Sequence, residues 1–280
     1  MSKVKIGIII DRYHLEKKTT EFLKYLKSVA EVSLYIEESY LLKSSDFIFD
    51  EDLFFVKGKG NLILALVKLI AKETKIPIIN PYKGIWNAIH RFMNSVLLKK
   101  AGVPVPDFSL IPSDYPPPFE SYIVKNIIDQ KNYKFKPNIE NVNGAIKVSD
   151  QRALTEMNNG FYGDMENYQY LYYQKFIKSE WEYKIYVIGE DIYYYKQIPV
   201  LVNPNKMESR QKIDEIPELT EIAFKAVETT GLKITSIDFL QNKKGQFFLS
   251  DINCTPNFNY IKNGPKIVAD YLIEQAKKGC

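Results

Sequence analysis

The sequence predicts an α/β lobe followed by an α+β region, on three observations. Over the first eighty residues apolar strand-like runs alternate with helical stretches, the pattern of a parallel sheet covered by helices on both faces. From Ser121 onward the texture turns β-rich, with short apolar segments in close succession. Near the C-terminus two strand-like runs, 237–239 and 247–253, flank the polar turn Asn242-Lys243-Lys244-Gly245 and read as a hairpin.

In chain order, the almost wholly apolar run 4–10 reads as a buried strand, followed by a helix over 17–28, strands at 32–36 and 53–56, a helix over 62–72 and a strand at 76–79. Pro81 opens a second helical stretch through 88–101. It is closed by Gly102 and the run Val103-Pro104-Val105-Pro106, in which each residue before a proline is pushed toward extended geometry. Strands follow at 122–125, 145–148, 170–177, 183–188 and 192–198, and helices at 216–229 and 265–277 flank the hairpin. The Pro116-Pro117-Pro118 run and the lysine-rich segment 131–136 read as exposed loops. The expected division is 1–80, 81–178 and 179–280.

Composition narrows the function classes. With 280 residues, 45% apolar and 14% aromatic, the chain has ample material for a packed core. A net charge of +4 from 38 basic and 34 acidic residues argues against a nucleic-acid binder that works by bulk charge, so any anion site is local. No apolar run reaches membrane-spanning length, and Met1 to Lys5 leads straight into a strand rather than a signal peptide; a cytoplasmic protein is expected. Cys254 and Cys280 are the only cysteines, and reduced thiols are the simpler account of them. Two histidines, His14 and His90, leave no room for a histidine zinc site or a histidine-based triad.

The hairpin carries the strongest chemical signal. Asp238, Asp251 and Asn253 converge near one of its ends, and two carboxylates with an amide oxygen are hard ligands suited to Mg²⁺, which completes its shell with substrate phosphates. Asp251 and Asn253 are two apart on a strand and so face the same way. Lys125 ends the apolar strand Tyr122-Ile123-Val124, where a lysine facing a cleft serves as a point charge on a phosphate. Gln174-Lys175-Phe176-Ile177 closes another strand and begins an extended linker, whose backbone groups can meet an adenine edge while Ile177 packs on the base.

In this order and spacing, from Ile79-Asn80-Pro81 to the C-terminus, the chain resembles the ATP-grasp enzymes, and its first lobe resembles the domain that precedes that fold. The resemblance implies ATP held between two α+β lobes, Lys125 on phosphates, an adenine hinge at Gln174, Lys175, Phe176 and Ile177 with Glu180 just beyond, and two Mg²⁺ ions on Asp238, Asp251 and Asn253. Many members carry a lysine in the helix before the Gly-Val-Pro-Val-Pro element; Arg91 stands in the matching place here. The phosphate loop is usually glycine-rich, whereas residues 126–144 hold only Gly144.

The resemblance points to two chemistries and one alternative without chemistry. Inositol-trisphosphate kinases of this fold share the Asp-Ile-Asn of 251–253 and the strand Tyr183 to Gly189, with Lys184 at the substrate-contacting lysine and Lys57 at an inositol-phosphate-binding lysine; they carry arginine where this chain has Gln197. RimK-like carboxylate–amine ligases typically show glutamate at the position of Asp251 and glycines in the stretch 197–215, which here has none. The third reading is a degenerate nucleotide-binding regulatory module. The sequence favours the kinase, with Lys184, Lys196 and Arg91 as catalytic cations. In that reading Lys57, Lys131, Lys134, Lys136, Lys184 and Lys196 form a basic funnel for an anionic small molecule.

Overall fold

The apolar run that opens the chain becomes the interior of a parallel sheet in the computed structural model, which describes residues 3–39, 48–112, 114–129, 137–150, 170–203 and 205–279. Strand β1 (Lys5–Ile10) lies between β2 (Glu31–Ile36) and β3 (Leu53–Lys57), with β4 (Ile78–Ile79) beyond β3. All three pairings are parallel, and every residue of β3 is buried, which is why these strands read as continuous apolar runs.

A short helix that was not expected, α1 (Arg12–Lys17), precedes α2 (Thr20–Val29), which occupies the range expected as a helix over 17–28. The Asp11 carboxylate starts the first by accepting from the His14 amide at 2.7 Å, and the Thr19 hydroxyl ends it by donating to the His14 carbonyl at 3.0 Å. Helix α3 (Asn61–Glu73) follows β3 and buries Ile63, Leu64, Leu66, Val67 and Ile70.

The stretch after Pro81 is interrupted, giving α4 (Tyr82–Ile89) and α5 (Arg91–Lys100). His90 leaves helical geometry with φ −86° and ψ 89°. The break opens two backbone groups to the segment 127–129: the Arg91 amide donates to the Ile127 carbonyl at 2.9 Å, and the Asp129 amide to the Ile89 carbonyl at 2.8 Å.

The central sheet is mixed, in the order β5-β9-β6-β8-β7, from β5 (Phe108–Pro112), β6 (Tyr122–Lys125), β7 (Pro137–Val142), β8 (Ala145–Asp150) and β9 (Tyr170–Lys175). Neither β5 nor β7 was expected. Each lies at an edge and has a proline at one end, and a ladder open to water on one side needs no apolar run. Lys131, Lys134 and Lys136 lie outside the described residues.

The third sheet is antiparallel, in the order β12-β11-β10-β13-β14: β10 (Glu182–Ile188), β11 (Asp191–Gln197), β12 (Gln211–Lys212), β13 (Ile234–Gln241) and β14 (Phe247–Asn253). One face, with Ile185, Val187, Ile237, Phe239 and Ile252, packs on α4 and on α6 (Pro217–Thr230). Helix α7 (Gly264–Lys278) packs against α2 and the first sheet, where Phe22, Leu26, Val268 and Leu272 are fully buried. Gly189 turns β10 into β11 at φ +60°, and a Cβ there would meet the Tyr271 ring at 2.5 Å. No helix among the described residues is long and apolar enough to cross a membrane.

Asn80 ties the first sheet to the third. It is completely buried, and its amide nitrogen donates to the carbonyls of Ile234 (2.7 Å) and Cys254 (2.9 Å), while its oxygen accepts from the amides of Lys233 (2.7 Å) and Ile234 (2.9 Å). Asn80→Ala strands backbone groups of Lys233, Ile234 and Cys254 on the third-sheet side of the junction, each costing about 1–3 kcal/mol where buried. The expected result is a loss of at least about 3 kcal/mol in chemical denaturation; a loss under about 1 kcal/mol refutes this role.

Candidate active site

Antiparallel partners share a face of their sheet, so the register of the third sheet defines what its other face presents. Asp238 lies opposite Asp251 on one side and Lys184 on the other, Ser236 lies opposite Asn253, and Glu182 lies opposite Gln197. Asp238, Asp251, Asn253 and Lys184 are therefore together on one face. Two carboxylates in direct opposition repel each other. Lys184 Nζ donates to Asp238 Oδ1, and the positive charge of Lys125 lies within electrostatic reach of both acids.

Unbroken alternation does not produce this arrangement. The ladder shifts between Asp238 and Phe239, so that Phe239 pairs with Leu249 while Asp238 pairs with Asp251, leaving Ser250 as the extra residue of a β-bulge. Leu249 can then enter the core while Asp251 stays on the acid face. The bulge also turns the Ser250 carbonyl toward the central sheet, where it accepts from Lys125 Nζ at 3.0 Å and Gln174 Nε2 at 3.4 Å. Burial lowers the Lys125 pKa, Arg91 lowers it further, and Asp251 opposes both.

A pocket behind these groups is lined by Arg91, Asn94, Ser95, Lys125, Gln174 and Asp251, among others. Asn94 is 6% exposed, and its buried side-chain nitrogen has no hydrogen-bond acceptor among the described residues. Ser95 and Tyr172 share a hydroxyl–hydroxyl bond of 2.7 Å in the same wall.

Arg91 is held by a group absent from the sequence-based site. Its guanidinium donates to the Asn126 carbonyl at 2.9 Å and pairs with Asp129 at 3.2 Å, while Lys59 reaches the other oxygen of Asp129 at 2.5 Å. Burial alone would raise the Asp129 pKa, but Lys59, Arg91 and Lys125 hold it at about 2. This ion cluster joins the loop after β3, the segment after β6 and the head of α5. Lys59 follows the buried strand β3 by two residues, the one local sign that it is not an ordinary surface lysine.

At the end of β9, the Lys175 amide donates to Asp107 O (2.7 Å) and the Phe176 amide to Ser121 O (3.0 Å), while Lys175 Nζ pairs with Asp107 at 3.4 Å. The amides of Ile177 and Lys178, next in the chain, make no hydrogen bond among the described residues. Glu180 is exposed on the linker to β10.

The basic funnel is not assembled among the described residues. Lys57 is 1% exposed: its ammonium donates to the Pro256 carbonyl and sits 4.5 Å from the centre of the Phe258 ring. Lys196 pairs with Tyr183, so it lies on the sheet face opposite Lys184, with its ammonium 4.4 Å from the Trp181 ring. Of the funnel lysines in the described residues, Lys184 alone shares the face of the acids.

The fold as a whole has counterparts in solved structures. A RimK-domain ATP-grasp protein from Sphaerobacter thermophilus covers 96% of this chain and 99% of its own, with a TM-score of 0.65 at 12% identity. The ATP-grasp ligase PsnB, solved with a minimal precursor, Mg and ADP, covers 99% of each chain with a TM-score of 0.66 at 12% identity. The chain has the ATP-grasp fold. No family model matches the chain. In sequence, the tetrahydromethanopterin:alpha-L-glutamate ligase of Methanococcus maripaludis is 22% identical over 220 residues, 73% of this chain and 70% of that protein.

Proposed function

We propose that this ATP-grasp protein is a Mg-ATP-dependent carboxylate–amine ligase of the RimK-like kind. The observation that carries the reading is the bulged acid face, on which Asp238, Asp251 and Asn253 stand together while Ser250 brings Lys125 to their edge. The preference for a kinase rested on the Asp-Ile-Asn of 251–253, the strand Tyr183 to Gly189 with Lys184, and Lys57; the burial of Lys57 and the opposite facing of Lys196 weaken it, because the lysines suited to a polyphosphate do not gather on the acid face. Two of the proteins described above, PsnB and the Methanococcus maripaludis protein, are ligases by name, which favours the same side.

The residues fit the cofactors. Among the described residues no three His, Cys, Asp or Glu side chains are close enough to hold a metal by themselves, so a cation on Asp238, Asp251 and Asn253 draws further ligands from phosphate oxygens. Asn253 Oδ1 accepts from the Thr255 amide at 2.9 Å and from the Thr255 hydroxyl at 3.3 Å, so a cation on this oxygen takes the place of the longer, hydroxyl bond. The Asn94 nitrogen, unmatched among the described residues, and the cations Lys125 and Arg91 suit an anionic ligand in the pocket, and the amides of Ile177 and Lys178, without a partner among the described residues, suit a base edge. Bound Mg²⁺ supplies neutralisation of charge on the transferring phosphoryl group.

The reaction is then two displacements. A substrate carboxylate oxygen bonds to the γ-phosphorus as the bond to ADP breaks, giving an acyl phosphate and ADP. An amine nitrogen bonds to the acyl carbon as the bond to phosphate breaks, releasing phosphate and a proton and leaving an amide. Lys125 and Lys184 hold the anionic groups in place, and their own contacts with Ser250 and Asp238 fix their positions beforehand.

The test is a panel of carboxylates and hydroxyl compounds, each with and without amines beginning with L-glutamate, assayed for ADP and by product mass. ADP release that needs both carboxylate and amine, with an amide product and free phosphate, is expected. A phosphorylated hydroxyl compound overturns the ligase reading.

A further inference from the structure

The segment 198–211, devoid of glycine, does not loop away from the sheet. A short 3₁₀ helix (Lys206–Ser209) leads into β12, which returns along β11 with Tyr195 opposite Lys212 and Lys196 opposite Gln211. The Ser209 hydroxyl accepts from the Ile198 amide at 2.9 Å and clamps the return. Arg210, between clamp and strand, is laid across the acid-bearing face. Its Nε donates to Gln197 Oε1 at 2.7 Å, one terminal nitrogen donates to the Tyr186 hydroxyl at 3.2 Å, and the guanidinium lies 4.5 Å from the centre of the Tyr260 ring. Gln197 is itself completely buried and donates to Glu182. Three neutral groups thus orient this cation, and among the described residues no carboxylate pairs with it.

A half-buried guanidinium fixed in orientation with donors to spare is the arrangement that receives a planar anion in two-pronged fashion. We propose that Arg210 binds a carboxylate of the substrate that does not react. Its location separates that carboxylate from the reacting one. Asp251 is on β14, whereas Arg210 is anchored on β10 and β11, two to three strands away, which at the ordinary strand spacing is roughly 10–14 Å. That exceeds the roughly 5 Å between the two carboxylates of one glutamate and is about the length of three to four residues of extended chain. Lys184 lies between, on Asp238. The substrate class is a short peptide carrying a second carboxylate, its far end on Arg210 and its reacting end at the acid edge. The neutral tether explains how Gln197 serves: a carboxylate at 197 would neutralise the guanidinium, and an arginine there would repel it.

This assignment rests on the ligase reading for its substrate class, but its test needs no turnover. The full chain with ADP and MgCl₂ is titrated calorimetrically with L-glutamate, L-aspartate and glutarate, and with L-glutamine as the analogue lacking the side-chain charge. At least one dicarboxylate is expected to bind wild type, with Arg210→Gln weakening it at least about tenfold. L-glutamine is expected to bind both proteins equally, and Arg210→Lys to recover part of the loss. Melting temperatures of both variants identify any that fails to fold, and the lysine variant then decides. Equal affinity of wild type and variants for every dicarboxylate overturns the proposal, as does an equal loss for L-glutamine or no dicarboxylate binding to wild type. If binding depends on Arg210 while no amide product forms in the panel above, the ligase reading fails and the anion site stands.

Discussion

Asp251→Asn is expected to cut ATP turnover by roughly 10²–10³-fold while leaving the melting temperature unchanged or slightly higher. A carboxylate that holds a cation against a transferring phosphoryl group acts where charge develops, and losses of that order follow removal of one such group. The stability expectation has the opposite sign for a related reason. Asp251 stands directly across the ladder from Asp238, and removing one of two like charges relieves their repulsion. The amide keeps the shape of the carboxylate, so Leu249 stays in the core and the bulge is retained. Steady-state ADP release and thermal melting are the two measurements. Turnover within threefold of wild type removes Asp251 from the metal site; a large drop in melting temperature makes it a structural residue.

Lys57→Met is expected to stabilise the protein near neutral pH, by an amount that depends on pH. The Lys57 ammonium is enclosed on every side, has one backbone carbonyl as hydrogen-bond acceptor, and burial pushes its pKa down to about 7. The folded-state pKa thus lies below that of the unfolded chain. Below about pH 7 the group is charged in both states and the folded protein bears the whole cost of burying it. Between about 7 and 10.5 the unfolded chain binds more protons, so wild-type stability rises with pH across that window. Methionine keeps most of the volume without the charge, and its variant shows no such rise. At pH 6.5 the variant should be more stable by about 1–3 kcal/mol, the gain being offset in part by the orphaned Pro256 carbonyl, and the gap should close toward pH 10. Urea melts of both proteins at pH 6.5, 8 and 9.5 test this. A gap independent of pH shows that Lys57 does not titrate in the window.

The parts of this fold that were legible in the sequence are those whose signal is local. The strands β1 and β3 carry the apolar runs 6–10 and 53–56 because both their faces are covered, and the turn at Gly245 is marked by its own polar residues. Lys57 shows the limit. It follows Val56 as any strand-ending lysine follows its strand, and what encloses it is Phe258 and Pro256, about two hundred residues later. Lys196 was grouped with Lys184 by charge, but faces are assigned by cross-strand register, and Lys184 pairs with Tyr195 rather than Lys196. Arg210 gave no signal because its position depends on a return strand of two residues, too short to carry periodicity. The strands β5 and β7 were missed because edge strands are not required to be apolar.

The hairpin of Asp238 and Asp251 also carries a constraint of parity. From the turn inward, Gln241 pairs with Phe247, Leu240 with Phe248 and Phe239 with Leu249. Continued without interruption, that count would seat Ser250 against Asp238 and carry Asp251 one step on, beside Ile237, into the apolar interior. One supernumerary residue lets the strand keep two reckonings at once, one for the oily side and one for the charged side. Chain length in this hairpin is therefore itself part of the chemistry: inserting or removing a single residue between Phe239 and Asp251 would move the carboxylate or the Ser250 carbonyl without altering the identity of either group.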